Sequence, residues 1–185
     1  MKQPNTPEMD GPMGTTRRGF LAGAGAALVV GFTLPLAGRA LAAGEVGFAP
    51  NAWLRITPDN RITVICGSSE MGQGVLTAIP QLMAEELDAD WANVRVEQAP
   101  VSQAFNNPAF GMQATGGSTT VRGHWDVMRN AGATARAMLV AAAAEQWKLA
   151  PSQLTTSKGM VLGPDGRKAS YGSLAEAAMK QPVPA

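Results

Sequence analysis

Two short segments carry residue types that do chemistry when brought together. Gly72-Gln73-Gly74 sits between a β-rich run and an apolar helical stripe, and Thr115-Gly116-Gly117-Ser118-Thr119-Thr120 opens the longest periodic stretch of the chain. Glycines let a backbone approach a ligand closely, and free N–H groups at a helix start attract anions. Gln73 is neutral and offers both a donor and an acceptor, which suits a heterocycle or a phosphate. The second segment combines glycines and hydroxyls with about four helix-start N–H donors, a composition suited to phosphate or pyrophosphate. Arg122 is a candidate charge partner there. Each segment also has a plain reading: a strand-to-helix turn needs glycine for its geometry alone, and Ser118 serves equally as an ordinary helix N-cap. Between them lies a long irregular segment, Ala99–Ala114, of a kind that is uncommon in compact domains and usually functional. A ligand site and a pair of structural turns both stand at this point.

The other reactive residues form no catalytic set. Among 185 residues there is one Cys, Cys66, and one His, His124, so neither an internal disulfide nor a Cys/His zinc site is expected. Cys66 ends a β-rich run and reads as a buried, inert thiol. His124, near an apolar stripe, reads as a packed or surface residue. Glu85, Glu86 and Asp88 read as a solvated helix end, and the methionines as core filler. Lys and Arg number 15 against 14 Asp and Glu, a formal charge of +1. That balance argues against nucleic acid as a partner, because neutralising phosphates takes clustered cations. A dinucleotide-binding unit is disfavoured too: Thr77 stands where its third glycine belongs, although Glu97 follows Gly72 by 25 residues. The hairpin-like stretch ahead also fits a parallel βαβ unit poorly.

The elements that must position the two loops are legible in outline. Apolar residues make up 45% of the chain and charged ones 16%, a globular balance. Trp53–Thr57 and Arg61–Cys66, split by Pro58-Asp59-Asn60, predict a β-hairpin. Ile79, Leu82, Met83, Glu86 and Leu87 predict a helix with Pro80 in its first turn. Val94–Glu97 alternates like a strand. From Ser118 to about Lys148 the stripe Val121, Trp125, Met128, Gly132, Ala135, Leu139, Ala142, Gln146 predicts a long helix, with Arg122–Asp126 and Asp126–Arg129 paired on its outer side. A second hairpin at Leu154–Thr156 and Met160–Leu162, a turn at Pro164-Asp165-Gly166 and a short helix over Ser173–Lys180 complete an α+β domain. It is expected to have a mixed sheet with β-hairpins and two main helices packed on one face.

Ahead of the domain the chain reads as an address. Gly19 to Gly38 carries no charge; Arg17-Arg18 precede Phe20-Leu21, and Ala40-Leu41-Ala42 has the spacing of a cleavage site. Residues 1–42 are therefore expected to be a twin-arginine signal, cut after Ala42, that carries a folded protein to the periplasm; a retained membrane anchor is the alternative. Residues 43–185 form the domain.

Three runs together resemble a known family. Pro50-Asn51-Ala52-Trp53-Leu54-Arg55-Ile56, Ser69-Glu70-Met71-Gly72-Gln73-Gly74-Val75 continuing to Ala84-Glu85-Glu86-Leu87, and Thr115 through Arg122 look like the N-terminal part of a xanthine oxidase family molybdenum hydroxylase large subunit. The type is that of the isoquinoline 1-oxidoreductase beta subunit or periplasmic aldehyde dehydrogenase, and the match covers roughly residues 50–180. The resemblance implies a molybdopterin cofactor, in bacterial members the cytosine dinucleotide, whose dithiolene holds the metal without Cys or His ligands. It places Gly72, Gln73 and Gly74 against the pterin and Thr115, Gly116, Gly117, Ser118, Thr119 and Thr120 around the phosphate-bearing portion. It implies hydroxylation of an aldehyde or N-heterocycle with water-derived oxygen. The implied partners are the remaining large-subunit domains on another chain, a [2Fe-2S] small subunit and, as candidate electron acceptor, a cytochrome c. The family's catalytic glutamate lies in a G-x-G-E-type segment; Gly44-Glu45 is this chain's one Gly-Glu pair and is not it. Neither a catalytic residue nor a metal ligand is assigned here, and the chain is expected to be a piece of a split or truncated subunit, inactive alone. A non-catalytic exported binding or assembly module, or a remnant of the family, is the competing reading.

Overall fold

The computed structural model describes residues 28–31 and 52–184. The expected signal segment and the lead-in at 44–51 lie outside them, apart from Leu28–Gly31. Those four residues form strand β1, antiparallel to β2 (Ala52–Ile56). The hairpin is as read: β2 returns as β3 (Ile62–Cys66) with Leu54 opposite Val64 and Ile56 opposite Ile62. The turn closes through Asn60 N–H to the Thr57 carbonyl at 2.9 Å, and Asn60 takes the left-handed φ of 63° that Asn tolerates. Alternation puts Leu54, Ile56, Ile62, Val64 and Cys66 fully inside.

From β3 the chain crosses through α1 (Val75–Leu87) to β4 (Val94–Gln98), which lies parallel to β3. The sequence reading set hairpin and parallel crossover against each other, yet β3 belongs to both: one edge pairs with β2, the other with β4, in the order β1-β2-β3-β4. Pro80 is a second correction. α1 begins at Val75, so Pro80 is its sixth residue, buried, where it removes the N–H that would bond the Leu76 carbonyl.

The long helix α2 spans Thr120–Trp147. Met128, Gly132, Ala135, Leu139 and Ala142 of the expected stripe are buried, but its ends are not: Val121 and Trp125 are 36% and 44% exposed, and Thr120 and His124 take their places inside. Alternating four- and three-residue steps assume 3.5 residues per turn. A straight helix drifts from that by about 20° per heptad, so a stripe correct in the middle slides off the face at both ends. The expected outer pairs are replaced as well. Arg129 Nε donates to Glu86 Oε1 of α1 at 2.7 Å, so Glu86 is half-buried and not the solvated end that its neighbours suggested.

The tail holds a three-stranded sheet, β5 (Thr155–Ser157), β6 (Met160–Leu162) and β7 (Lys168–Ser170), then α3 (Tyr171–Ala178). The first hairpin turns on Lys158 and Gly159, both at positive φ. β7 was not foreseen because three residues are too few to show a period, and α3 starts two residues earlier than expected, with the Ser170 hydroxyl capping Ser173 N–H at 3.2 Å. The buried Tyr171 donates its hydroxyl to the Leu87 carbonyl at 2.7 Å, and burial raises its pKa. The α+β class holds, with three helices and two small sheets among the described residues.

α1 and α2 run side by side in the same direction. Their starts meet where Thr120 bonds Ser68; Glu86 meets Arg129, and a Cβ placed on Gly132 would lie 2.5 Å from the Met83 carbonyl oxygen and 3.1 Å from Leu87 N. Helix propensity alone would make Gly132→Ala stabilising by about 1 kcal/mol. The backbone it would strike cannot yield as a side chain does, so Gly132→Ala is expected to destabilise by about 1–3 kcal/mol in chemical denaturation.

Candidate functional site

The parallel course of α1 and α2 places both helix starts at one edge, and the two sequence-predicted loops meet there. The Thr115 hydroxyl accepts from Ser69 N–H at 2.9 Å, and the Thr120 hydroxyl donates to the Ser68 hydroxyl at 3.1 Å in a buried contact. Thr119, also buried, donates to the Gly116 carbonyl at 2.8 Å and accepts from Asn107 Nδ2 at 2.8 Å. Three of the four hydroxyls in the second segment thus build the loop. Gly116, Gly117 and Ser118 form its exposed rim.

Ser118 is not an N-cap. The cap is Thr119, whose side chain makes no capping bond, and Ser118 has a left-handed φ of 52° beside Gly117 at 58°. The helical ladder begins with Gly123 N–H to the Thr119 carbonyl at 2.8 Å. The N–H groups of Thr120, Val121 and Arg122 therefore lie ahead of the ladder at an uncapped, electropositive helix end. Arg122 is exposed and makes no ion pair among the described residues.

The first loop differs from expectation. Gly72 (φ 93°) and Gly74 (φ 81°) hold backbone shapes suited to glycine. The N–H groups expected to attract an anion are engaged: Glu70 Oε1 accepts from Gly72 and Gly74 at 2.8 and 2.9 Å, and Oε2 from Leu76 at 3.1 Å. These bonds, that from Gly74 foremost, pull the Glu70 carboxyl below its usual range. Gln73 is held at both ends, accepting from Met71 N–H at 2.6 Å and donating to the Ser69 carbonyl at 2.8 Å. One amide hydrogen and one carbonyl lone pair of Gln73 remain for other use.

A floor of residues that the sequence reading passed over supports both loops. Buried Asn107 donates to the Ala114 carbonyl at 3.2 Å, besides Thr119, and its Oδ1 accepts from Ala109 N–H at 3.0 Å. Gln113 donates to the Gly67 carbonyl at 3.3 Å. Phe105 packs edge-on against Trp53 with centroids 4.9 Å apart. Asn ahead of Pro, inside the long irregular segment, was the signal available for Asn107. His124 and Cys66 are buried, and Cys66 Sγ donates to the Ser68 carbonyl at 3.4 Å. Nδ1 of His124 lies 3.0 Å from the Thr120 carbonyl, so the proton sits there, and Nε2 has no partner among the described residues. Burial pushes its pKa down and the Cys66 thiol's up.

A model of the molybdopterin cofactor-binding domain matches residues 14–185. The chain belongs to that family, which is the domain of xanthine oxidase-type molybdenum hydroxylase large subunits. It is 44% identical over 167 residues to the isoquinoline 1-oxidoreductase subunit beta of Brevundimonas diminuta and 34% identical over 166 residues to a membrane-bound aldehyde dehydrogenase (pyrroloquinoline-quinone) of Gluconacetobacter polyoxogenes. Each alignment takes in 86% of this chain and 21% of the relative, so the chain spans about a fifth of their length. The fold is shared with CO dehydrogenase from Oligotropha carboxidovorans (TM-score 0.53, 20% identity) and quinoline 2-oxidoreductase from Pseudomonas putida 86 (TM-score 0.51, 18% identity). Each covers 67% of this chain and 15% of the other.

The residues present fit a molybdopterin group. A Cβ built on Gly72, Gly74 or Gly116 would meet no atom within 4 Å, so the backbone on those rims is bare. Beside it stand an uncapped helix start and one half-engaged carboxamide.

Two outcomes follow from the floor. Asn107→Ala strands the Thr119 hydroxyl, the Ala114 carbonyl and the Ala109 N–H, and should cost about 1–3 kcal/mol in chemical denaturation. His124 has a folded pKa below its unfolded value of 6.5. The unfolded chain therefore takes the proton first, and stability falls as pH drops below 6.5. The imidazole C2–H resonance should titrate at lower pH in the folded chain than in the denatured one, and His124→Gln should reduce the fall in denaturation midpoint as pH drops below 6.5.

Proposed function

We propose that this chain is the cofactor-binding N-terminal part of a molybdopterin-dependent hydroxylase large subunit, with the cofactor held across the two joined loops. One observation carries the reading: two independent hydrogen bonds, Ser69 to Thr115 and Thr120 to Ser68, lock a glutamine loop to an uncapped helix start. Gly72, Gln73 and Gly74 would lie against the pterin, with Gln73 offering its free amide hydrogen and lone pair. Gly116, Gly117, Ser118 and the first-turn N–H groups of α2 would hold the phosphate-bearing portion. Thr115, Thr119 and Thr120 set that backbone from beneath. When bound, the group supplies two-electron redox chemistry: oxidation of an aldehyde or N-heterocycle carbon with oxygen from water.

The names of the relatives support the substrate class, one an isoquinoline oxidoreductase and one an aldehyde dehydrogenase. In this reading the cofactor is the cytosine dinucleotide form, and the general base lies on the remaining large-subunit domains. Electrons leave through a [2Fe-2S] subunit toward a cytochrome c. The Arg17-Arg18 segment supports twin-arginine export to the periplasm after the cofactor is loaded.

Two substitutions in the assembled enzyme test the site. Gln73→Ala removes the carboxamide, and Ser118→Gly removes a hydroxyl at a left-handed position that glycine accepts without strain. Ser118→Gly loses a hydrogen bond to a charged phosphate, worth about 1.5–3 kcal/mol, and Gln73→Ala one to a neutral ring, worth about 0.5–1.5 kcal/mol. Molybdenum and pterin retained through dialysis should therefore fall roughly tenfold or more in the first and about two- to tenfold in the second. Full retention in both variants would sink the proposal.

A further inference from the structure

The two helix starts at this edge are built alike and finished differently. Parallel α1 and α2 bring two electropositive ends together, an arrangement that repels unless anions are supplied. Among the described residues none is at α2, where the cap makes no side-chain bond. At α1 the chain supplies its own. Both oxygens of the Glu70 carboxylate take N–H groups there, from Gly72, Gly74 and Leu76. The same loop turns the Gln73 carboxamide back onto Met71 and Ser69, the residues that flank Glu70.

We propose that Glu70 is a positioning residue that fills the α1 helix start with an internal anion, fixing Gln73 and turning a phosphorylated ligand's anionic end toward α2. The inference deepens the functional reading above and rests on it for the ligand. A carboxylate already bound by three N–H groups excludes a phosphate from them, both by occupancy and by like charge. A ligand with a neutral heterocycle at one end and phosphates at the other then has one favourable orientation. Its neutral end faces Gln73, and its anionic end faces the Gly116–Ser118 rim. Without Glu70 the two helix starts would compete for the same phosphates.

The test uses the full chain, inorganic pyrophosphate as probe, and amide and side-chain NMR resonances as readout. In the wild-type chain, pyrophosphate should shift the amides of Thr120, Val121 and Arg122 and leave Gly72, Gly74 and Leu76 still. Glu70→Gln keeps an acceptor oxygen and loses the charge. It should leave the Gln73 side-chain resonance near its wild-type position while adding pyrophosphate shifts at Gly74 and Leu76. Glu70→Ala should admit the anion and also move or broaden the Gln73 resonance. The α1 amides responding in the wild-type chain, or staying silent in both variants, would overturn the role given to Glu70. Shifts at α1 in the variants with none at α2 in any chain would leave Glu70's exclusion of anions standing and count against the phosphate site on α2. The two failures are thereby separable.

Discussion

The close parallel contact between α1 and α2 is the constraint on which the site depends. Gly132 lets the backbones approach until the Met83 carbonyl fills the space of a missing methyl, and Arg129 to Glu86, in the last turn of α1, ties the same pair beside that contact. Because the helices run in one direction, fixing their middles also fixes their N-termini beside each other. The loops at 68–74 and 115–119 are then close enough to hydrogen-bond. A looser crossing would keep the secondary structure and lose the site.

What this edge can do follows from which polar groups are already engaged. Hydroxyls that look like ligand contacts in the sequence mostly serve the protein: Thr119 and Thr120 are buried, and Thr115 bridges to Ser69. Binding capacity remains with backbone, on the exposed rim Gly116–Ser118 and in the first-turn N–H groups of α2, and with one carboxamide. Backbone donors are held by the fold and need no side-chain ordering when they bind. That suits a ligand that must be retained and not merely recognised.

The sequence exposed the large periodic elements and both loops because apolar spacing and glycine clusters are local signals. The hairpin at 53–66, the helix at 75–87 and the middle of α2 are where alternation or a helical stripe put them. Misjudgements arose where a local signal had two outcomes. Pro80 fits a first turn, yet α1 starts at Val75. Val121 and Trp125 fit a stripe of 3.5-residue period that a straight helix does not keep. β7 is too short to register at all. At the site, spacing marked Gly72–Gly74 and Thr115–Thr120 but could not show that Glu70 folds back on the first. A side chain's bond to amides two, four and six residues ahead depends on a loop path that spacing does not encode. Family resemblance rested on the same loops, and so it pointed to the domain without exposing how its polar groups are shared.

The last helix has a consequence for synthesis. Tyr171 reaches Leu87 across 84 residues, and Gly172 N–H reaches Asn60 Oδ1 across 112. A Cβ on Gly172 would lie 2.5 Å from the Thr57 carbonyl, so this junction closes directly on the first hairpin's turn. During translation the hairpin and α1 emerge long before the segment that seals them. The domain therefore reaches its finished shape only after the ribosome has released α3, and contacts of such long range make that closure a slow event. A chain stalled short of Tyr171 would display an open seam to the chaperones that attend it.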